Sequence, residues 1–265
     1  MKSIPLYQID AFTDSVFGGN PAAVCVLENW IDDKLLQNIA SENFLPETAF
    51  IVKSGLYNTY DLRWFTPEIE MDLCGHATLA SAFVIFNFLN TKIDSVEFNT
   101  QSGKLIVTRE NDLLTLDFPS RIPVKAELPK LIIEGIGLKP LEVFKARDYV
   151  LVYENEEIIK NINPNQELLN QINLDPGGII VTAPGNKTDF VSRFFTPQAS
   201  IFEDPVTGSA HCSLIPLWSH KLKKLEMTAL QLSKRGGKIL CKNQDTRILI
   251  SGKCKTFLIG IIHIE

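Results

Sequence analysis

The sequence predicts an α+β protein of two pseudo-symmetric domains, in each of which a curled, mostly antiparallel sheet surrounds one central apolar helix. Three observations support this prediction. The chain repeats itself at a nearly constant offset, each copy contains one long apolar segment, and short strand-like segments surround that segment in both copies. A chain of 265 residues has enough material for two cores of ordinary size.

The internal repeat is clearest in two motifs. RWFTP at 63–67 returns as RFFTP at 193–197, and GKLI at 103–106 returns as GKIL at 237–240. We therefore place the first domain at 1–120 and the second at 121–265. The proline-containing stretch 121–138 is the expected crossover, and we allow for the C-terminal strand packing back on the first domain.

Hydrophobic patterning defines the elements of the first half. A helix is predicted at 32–43, where apolar residues recur at helical spacing and Asp32 is positioned to cap the first turn. Residues 77–89 are almost continuously apolar, which predicts a buried helix. Strands are predicted at 4–11, 22–27, 60–65, 95–99, 104–109 and 113–118.

The second half repeats this order. Its buried helix begins near Gly208 and continues through Trp218, with Pro216 as a candidate kink. A short helix is predicted at 166–172. Strands are predicted at 141–144, 149–153, 179–182, 189–195, 229–234, 238–242, 247–252 and 255–263.

Composition narrows the classes of partner and compartment. The net charge of −5 and the short basic clusters argue against nucleic acid. Five scattered cysteines without a Cys-x-x-Cys pair argue against a disulfide framework or a structural zinc site, and we expect no metal. The longest apolar run is too short to span a membrane. We expect a cytoplasmic protein with no membrane partner.

Both buried helices begin in a polar turn that contains a glycine. Gly75 opens the first and Gly208 the second, and the free N–H groups at a helix start attract anions such as carboxylates. We expect the two starts to face one shared cleft. The candidates for lining that cleft are Glu47, Asp72, Cys74, Gly75, His76, Asp204, Thr207, Gly208 and Ser209.

Glu47 is the candidate acid/base. It lies among apolar residues directly before a predicted strand, where lost hydration suits a group that accepts and returns a proton. The alternative is a surface glutamate at the entrance of a strand. The repeat offers Gly177 at the corresponding position, so only the first half carries this acid.

Other candidate residues have ordinary structural alternatives. His76 could polarise a substrate oxygen or cap its helix, and Cys74 could be an acid/base thiol or a small buried residue. The turn 18–21, which includes Asn20, could direct N–H groups at a ligand or form a plain hairpin connection. His211 beside Cys212 does not fit a known metal-ligand spacing.

At these residues the chain resembles the PhzF-like isomerases, a family related to phenazine biosynthesis proteins with the diaminopimelate-epimerase-like fold. The matching stretches are DAFTDSVFGGNPAAV at 10–24, PETAF at 46–50, RWFTPEIEMDLCGHAT at 63–78 and FEDPVTGSAH at 202–211. The resemblance implies that Glu47 moves the proton, and that His76, Asp204 and Ser209 orient the substrate or assist. It also implies that Gly75 and Gly208 lend backbone N–H groups to a substrate carboxylate.

The resulting hypothesis is a cofactor-independent isomerase that moves a proton on a small carboxylate-bearing substrate. Asn20, Asp72 and Thr207 complete the expected substrate-binding set. No nucleotide or pyridoxal motif is present, and the resemblance implies a homodimer. One alternative is an amino-acid epimerase or racemase that uses Cys74, although the second half offers no thiol at the matching helix start. The other is a catalytically silent small-molecule binding protein.

Overall fold

A computed structural model describes residues 2–55, 57–174 and 177–264 of the chain. These residues form two compact units. The first unit comprises the described residues up to Phe118 together with those from Ile250 onward, and the second unit is Pro119–Leu249. The first unit is therefore assembled from two separate stretches of sequence, whereas the second is continuous.

The first unit contains two α-helices and the strands that surround them. Its helices are α1 (Asp33–Asn43) and α2 (Gly75–Val84), and α2 ends in a π-helical turn, Ile85–Leu89. Its strands are β1 (Lys2–Ala11), β2 (Asn20–Leu27), β3 (Glu47–Lys53), β4 (Thr59–Phe65), β5 (Glu70–Met71), β6 (Ser95–Thr100), β7 (Gly103–Glu110), β8 (Leu113–Pro119) and, at the end of the chain, β18 (Cys254–Ile264).

Strand pairing in the first unit is mostly antiparallel. β1 pairs with β2 and with β18, and β3 pairs with β4. Two pairs are parallel, β2 with β3 and β4 with β6. The first parallel pair matters for function, because parallel neighbours begin at the same edge of a sheet.

The apolar helix α2 is the centre of the first unit. Of its ten residues only Phe83 is partly exposed, and the helix packs against β1, β2, β3, β7 and β18. A helix that is apolar on all sides is stable only when it is enclosed, which explains why strands surround it. Helix α1 packs on β3 and β4, where Leu36 and Ile39 join a separate cluster with Phe50. The predicted cap is confirmed, since the Asp32 side chain accepts from the Lys34 N–H at 3.0 Å.

The second unit repeats this arrangement with more helices outside the sheet. Its helices are α3 (Lys130–Ile136), α4 (Glu156–Asn161), α5 (Gln166–Leu169) and α6 (Gly208–Leu222). Its strands are β9 (Val124–Lys125), β10 (Glu142–Lys145), β11 (Tyr149–Val152), β12 (Ile179–Pro184), β13 (Phe190–Phe195), β14 (Glu203–Asp204), β15 (Glu226–Gln231), β16 (Gly237–Gln244) and β17 (Arg247–Gly252).

The strand pairs of the two units correspond. β11 and β12 are parallel like β2 and β3, and β13 and β15 are parallel like β4 and β6. The repeated RxFTP motif also makes the same contacts twice. Arg63 forms two hydrogen bonds to the Glu70 carboxylate, both 2.7 Å long, and Arg193 binds Glu203 at 2.7 and 2.9 Å. The predicted α+β fold of two similar halves is confirmed.

The central helix α6 is continuous through Pro216. Proline has no N–H, so the Cys212 carbonyl cannot receive its usual bond from within the helix. The Arg121 backbone N–H donates to that carbonyl instead, at 2.9 Å. Trp218, further along the helix, donates to the Thr182 hydroxyl on β12 at 2.9 Å and stacks on Phe190 of β13.

Three sequence predictions in the second half differ from the structure. The proposed crossover contains β9 and α3, because Pro129 precedes the helix and is compatible with a helix start. The helix α4 was not predicted, although Asn155 caps it by accepting from the Ile158 N–H. The strand predicted at 229–234 lies earlier, at Glu226–Gln231, since Ser233 and Gly236 form a turn.

Candidate active site

The parallel pair β2 and β3 brings two of the expected site residues to one edge of the sheet. Asn20 is the first residue of β2 and Glu47 the first residue of β3, and Ala22 lies opposite Glu47 in the register. The first turn of α2 lies at this same edge, with His76 within reach of both side chains. The fold therefore gathers residues that are far apart in sequence.

Glu47 and His76 form the most distinctive contact in the first unit. Oε2 of Glu47 lies 3.1 Å from Nε2 of His76, with side-chain exposures of 15% and 4%. Burial alone lowers the pKa of His76, but the neighbouring Cys74 and Glu47 side chains outweigh it and raise that pKa well above its usual value. The Glu47 carboxylate thus lies beside an imidazole that binds protons readily, and it keeps limited access to solvent.

Asn20 binds the other nitrogen of the same ring. Its side-chain nitrogen lies 3.0 Å from Nδ1 of His76. A 180° rotation of the amide presents its oxygen at the same place, so Asn20 is a suitable partner for both the neutral and the charged imidazole. This versatility allows His76 to gain and lose a proton without an unpaired Nδ1.

Cys74 is the N-cap residue of α2 but makes no side-chain cap bond. Its sulfur lies 3.6 Å from Nδ1 of His76. Burial, assisted by the charge of Glu47, raises the pKa of this thiol to about 11. The thiol is therefore protonated near neutral pH, which weighs against Cys74 as a resting-state base.

Glu47, Cys74 and His76 are residue types that bind metal ions, and their donor atoms lie within 4.8 Å of one another. Their contacts do not converge on one ring nitrogen, however, because Glu47 faces Nε2 and Cys74 faces Nδ1. A tetrahedral site needs all ligands about 2.0–2.3 Å from a single ion. The arrangement fits a cluster of close polar contacts better than a preformed chelate, and the absence of a metal remains a prediction.

Two further candidates of the first half differ in their settings. Gly75 is buried at the first position of α2, with no cap side chain in front of it. Asp72 is exposed. The hydrogen bond described for it is made by its backbone carbonyl, which accepts from the Ser102 hydroxyl at 2.7 Å. The Asp72 side chain does not join the Glu47 cluster.

The second unit gathers its own polar group at the start of α6. The Thr207 hydroxyl donates to Oδ2 of Asp204 at 2.5 Å. Thr207 is the N-cap residue, and like Cys74 it makes no side-chain cap bond. Gly208 is buried at the first helical position, and Ser209 beside it is partly exposed. Within the described part of the chain, the Ser209 hydroxyl has no hydrogen-bond partner, so it is available to a ligand.

At the position that corresponds to Glu47, the second unit leaves no room for a side chain. A Cβ atom on Gly177 would lie 2.5 Å from the Arg147 carbonyl oxygen, and one on Gly178 would lie 2.7 Å from the Phe195 oxygen. A buried acid is present nearby, but Asp148 accepts from the Gly178 N–H at 2.9 Å. Steric exclusion thus supports the predicted asymmetry, in which only the first unit carries an acid at this place.

Sequence reasoning missed two residues of the second unit. His211, which had been considered only as a metal ligand, donates from Nδ1 to the Thr207 carbonyl at 2.8 Å. Gln231 at the end of β15 binds both Thr207 and Asp204. His211 follows Thr207 by one helical turn, which was a usable signal. Gln231 had no such signal, because its contact depends on the pairing of β13 with β15.

Comparison with known proteins agrees with this fold and these motifs. The family model for phenazine biosynthesis-like proteins matches residues 9–260. An uncharacterized isomerase of Pseudomonas aeruginosa is 45% identical over 261 residues, covering 98% of this chain and 99% of the relative. A PhzF-family crystal structure from Enterococcus faecalis superposes with a TM-score of 0.94 at 45% identity, covering 99% of this chain and all of that one.

A more distant structure extends the likeness of fold alone. A protein described as a predicted epimerase of Pseudomonas aeruginosa matches with a TM-score of 0.75 at 16% identity, over 99% of this chain and all of its own. The architecture is therefore that of the epimerase-like α+β proteins. Within that class, the chain belongs to the phenazine biosynthesis-like, or PhzF, family, which includes proteins named as isomerases. No helix of the described residues combines the length and apolarity needed to cross a membrane.

Proposed function

We propose that this protein is a cofactor-independent isomerase in which Glu47 takes a proton from a small carboxylate-bearing substrate and returns it at another position. The observation that carries the proposal is the pairing of Glu47 with His76, 3.1 Å apart at the start of α2. Glu47 is partly accessible, while His76 and Asn20 behind it are buried. A base held in this way is poised for proton transfer to a bound molecule.

His76 and Asn20 supply the proton-handling support in this proposal. When Glu47 accepts a proton, its charge is lost and the imidazolium of His76 loses a favourable neighbour. A ring with an adaptable partner at Nδ1 can respond by giving up a proton or by donating to the substrate. Uncapped N–H groups near Gly75 and Gly208 are suited to a carboxylate and to the negative charge that develops next to it.

In the proposed site, Asp204 and Ser209 assist from the second unit, with Thr207 and Gly208 beside them. The Ser209 hydroxyl is free to bind substrate, and Asp204 is held by Thr207. A cleft shared by the two helix starts remains a prediction, as do the small carboxylate-bearing partner, the homodimer and the cytoplasmic location. The epimerase alternative with two thiols has little support, since Cys212 is fully buried inside α6.

The proposal is tested by hydrogen exchange in heavy water. The protein is incubated with a panel of hydroxy, amino and unsaturated cyclic carboxylic acids, and deuterium incorporation is followed by NMR. We expect incorporation at one carbon of at least one acid, and a loss on the order of 10²–10⁴-fold in Glu47→Gln. Gln preserves the shape of the side chain, so circular dichroism and thermal unfolding should remain close to the wild type.

Glu97→Gln is the matched control. Glu97 is a partly exposed carboxylate on β6 that binds Lys104 and belongs to the same unit. Its substitution should leave deuterium incorporation unchanged. Undiminished incorporation in Glu47→Gln would reject Glu47 as the base, and binding without incorporation across the panel would favour the silent binding protein.

A further inference from the structure

Gln231 is a buried amide whose side-chain hydrogen bonds go to Thr207 and Asp204, at the start of α6. Its side chain is 1% exposed. Oε1 accepts from the Thr207 backbone N–H at 2.9 Å, and Nε2 donates to the Asp204 carbonyl at 2.8 Å and to the Thr207 hydroxyl oxygen at 3.0 Å. One side chain from β15 therefore holds two residues of the proposed site.

These contacts dictate the direction of the Thr207 hydroxyl. An amide nitrogen only donates, so the Thr207 oxygen must accept from Gln231. The hydroxyl hydrogen is then directed away from Gln231, toward Oδ2 of Asp204 at 2.5 Å. Without the amide donor, the hydroxyl could rotate, and Asp204 would lose a fixed donor.

The Gln231 amide also makes the backbone N–H groups at the start of α6 differ in their availability to a ligand. The Thr207 N–H is occupied by Gln231, whereas Gly208 and Ser209 follow it in the first turn with no capping side chain. The contacts at the start of α2 in the first unit are different. There the Ser102 hydroxyl holds the Asp72 carbonyl, just as Ser233 holds the Pro205 carbonyl, but no amide reaches the Cys74 cap among the described contacts.

We propose that Gln231 is a positioning residue which, by donating to Thr207, makes the Thr207 hydroxyl a fixed donor to Asp204. The inference rests on the proposed function, in which Asp204 assists proton transfer. It assigns to the second unit a directed chain of three side chains, Gln231 to Thr207 to Asp204. Gln231 does not touch the substrate in this scheme.

The decisive variant is Gln231→Glu, which keeps the shape and an acceptor for the Thr207 N–H but removes the amide donors. We expect a folded protein whose Thr207 amide stays protected in hydrogen-exchange NMR. We expect kcat for deuterium incorporation to fall on the order of 10²-fold with KM changed much less, because Asp204 is misplaced and the substrate anion site is intact. Acidification should narrow the difference in kcat between Gln231→Glu and the wild type at the same pH, since a protonated carboxyl regains one donor.

Thr207→Val provides the test of connection. If Gln231 acts through the Thr207 hydroxyl, the double variant Gln231→Glu with Thr207→Val should be no slower than Thr207→Val alone. Losses that multiply, or a KM that rises as much as kcat falls, would overturn the proposal. Gln231→Met serves if the charged variant does not fold, and its Thr207 amide should lose protection while its coupling to Thr207→Val is retained.

The outcome is separable from that of the proposed function. If the wild type incorporates no deuterium into any acid of the panel, the isomerase proposal fails whatever Gln231 does. If the wild type is active and Gln231→Glu is equally active, only the positioning role fails.

Discussion

His211 shows at the scale of a single residue how burial decides a charge. The ring is fully buried, and its Nδ1–H is committed to the Thr207 carbonyl. Burial lowers its pKa to about 4, which the bond to Thr207 only partly opposes. His211 is therefore neutral in the folded protein at any pH at which the protein is expected to work.

This shift predicts a loss of stability on acidification. Well above pH 6.5 the imidazole is neutral in both the folded and the unfolded chain and contributes no pH dependence. Between pH 6.5 and about 4 only the unfolded chain takes up the proton, so stability falls. We expect this site alone to cost about 2 kcal/mol at pH 5 relative to pH 7.5.

The measurement is urea unfolding at the two pH values for the wild type, His211→Gln and His263→Gln. His211→Gln should show a drop in stability that is smaller by about that amount, because the titrating group is gone. His263 is exposed on β18, and its replacement should leave the drop unchanged. Equal drops in all three proteins would contradict a neutral, buried His211.

The same scale shows what the sequence could and could not provide. Glu47 and His76 were identifiable because a lone acid precedes an apolar strand and a histidine follows the glycine of a helix start. Their 3.1 Å contact was not, because it depends on β3 lying parallel to β2 at the edge where α2 begins. Asn20 was predicted to bind substrate, and that role stays a prediction; its contact with the His76 ring could not be foreseen, because it depends on the same strand pairing.

At the scale of elements, long apolar runs predicted the two central helices, because a helix enclosed on all sides is apolar on all sides. Both central helices were predicted near their observed positions, and π-helical hydrogen bonding from the Asn90 N–H to the Ile85 carbonyl was the detail missed in the first. α4 is only six residues long and depends on tertiary packing, so its sequence signal was weak. Short helices on the outside of a sheet are decided by contacts that a sequence does not display.

The bond between Arg121 and α6 predicts a specific coupling between two backbone positions. Arg121→Pro removes the N–H that satisfies the Cys212 carbonyl, and an unpaired buried carbonyl costs about 1–3 kcal/mol. Arg121→Ala keeps that N–H and controls for loss of the side chain. We expect Arg121→Pro to be less stable than Arg121→Ala by about this amount.

Pro216→Ala should rescue the stability that Arg121→Pro loses. An alanine at 216 restores an N–H inside the helix, so the Cys212 carbonyl no longer depends on Arg121. In the Pro216→Ala background, the difference between Arg121→Pro and Arg121→Ala should shrink by more than half, as measured by denaturant unfolding. An unchanged difference would show that Arg121→Pro acts through local backbone strain.

At the scale of the whole molecule, the duplication was visible because its signature residues make structural contacts. Arg63 with Glu70 and Arg193 with Glu203 are paired ion bridges on corresponding strands, and each arginine also lies over a phenylalanine two residues further on. The composition of the first unit was less visible, since it joins two stretches that are far apart in sequence. The sequence allows for the C-terminal strand packing on the first domain, and the antiparallel pairing of β18 with β1 places it there.

This composition predicts different behaviour of the two units as isolated fragments. Residues 119–249 contain the second unit with its apolar cluster and α6, and β17 as far as Leu249, and should unfold cooperatively on their own. Residues 1–118 lack β18. β1 would lose its pairing with β18 along Lys2–Ala11. The apolar cluster beneath α1 would lose its contacts with Ile262 and Ile264.

An unprotected edge strand and a thinned core favour aggregation over folding. We therefore expect residues 1–118 to lack a cooperative thermal transition, and expect fusion to residues 250–265 through a flexible Gly/Ser linker to restore one. The linked fragment with Ile262→Asp, which places a charge against the apolar cluster, should fail to restore it. If residues 1–118 unfold as cooperatively as the linked fragment, β18 is an accessory strand and the first unit is complete without it.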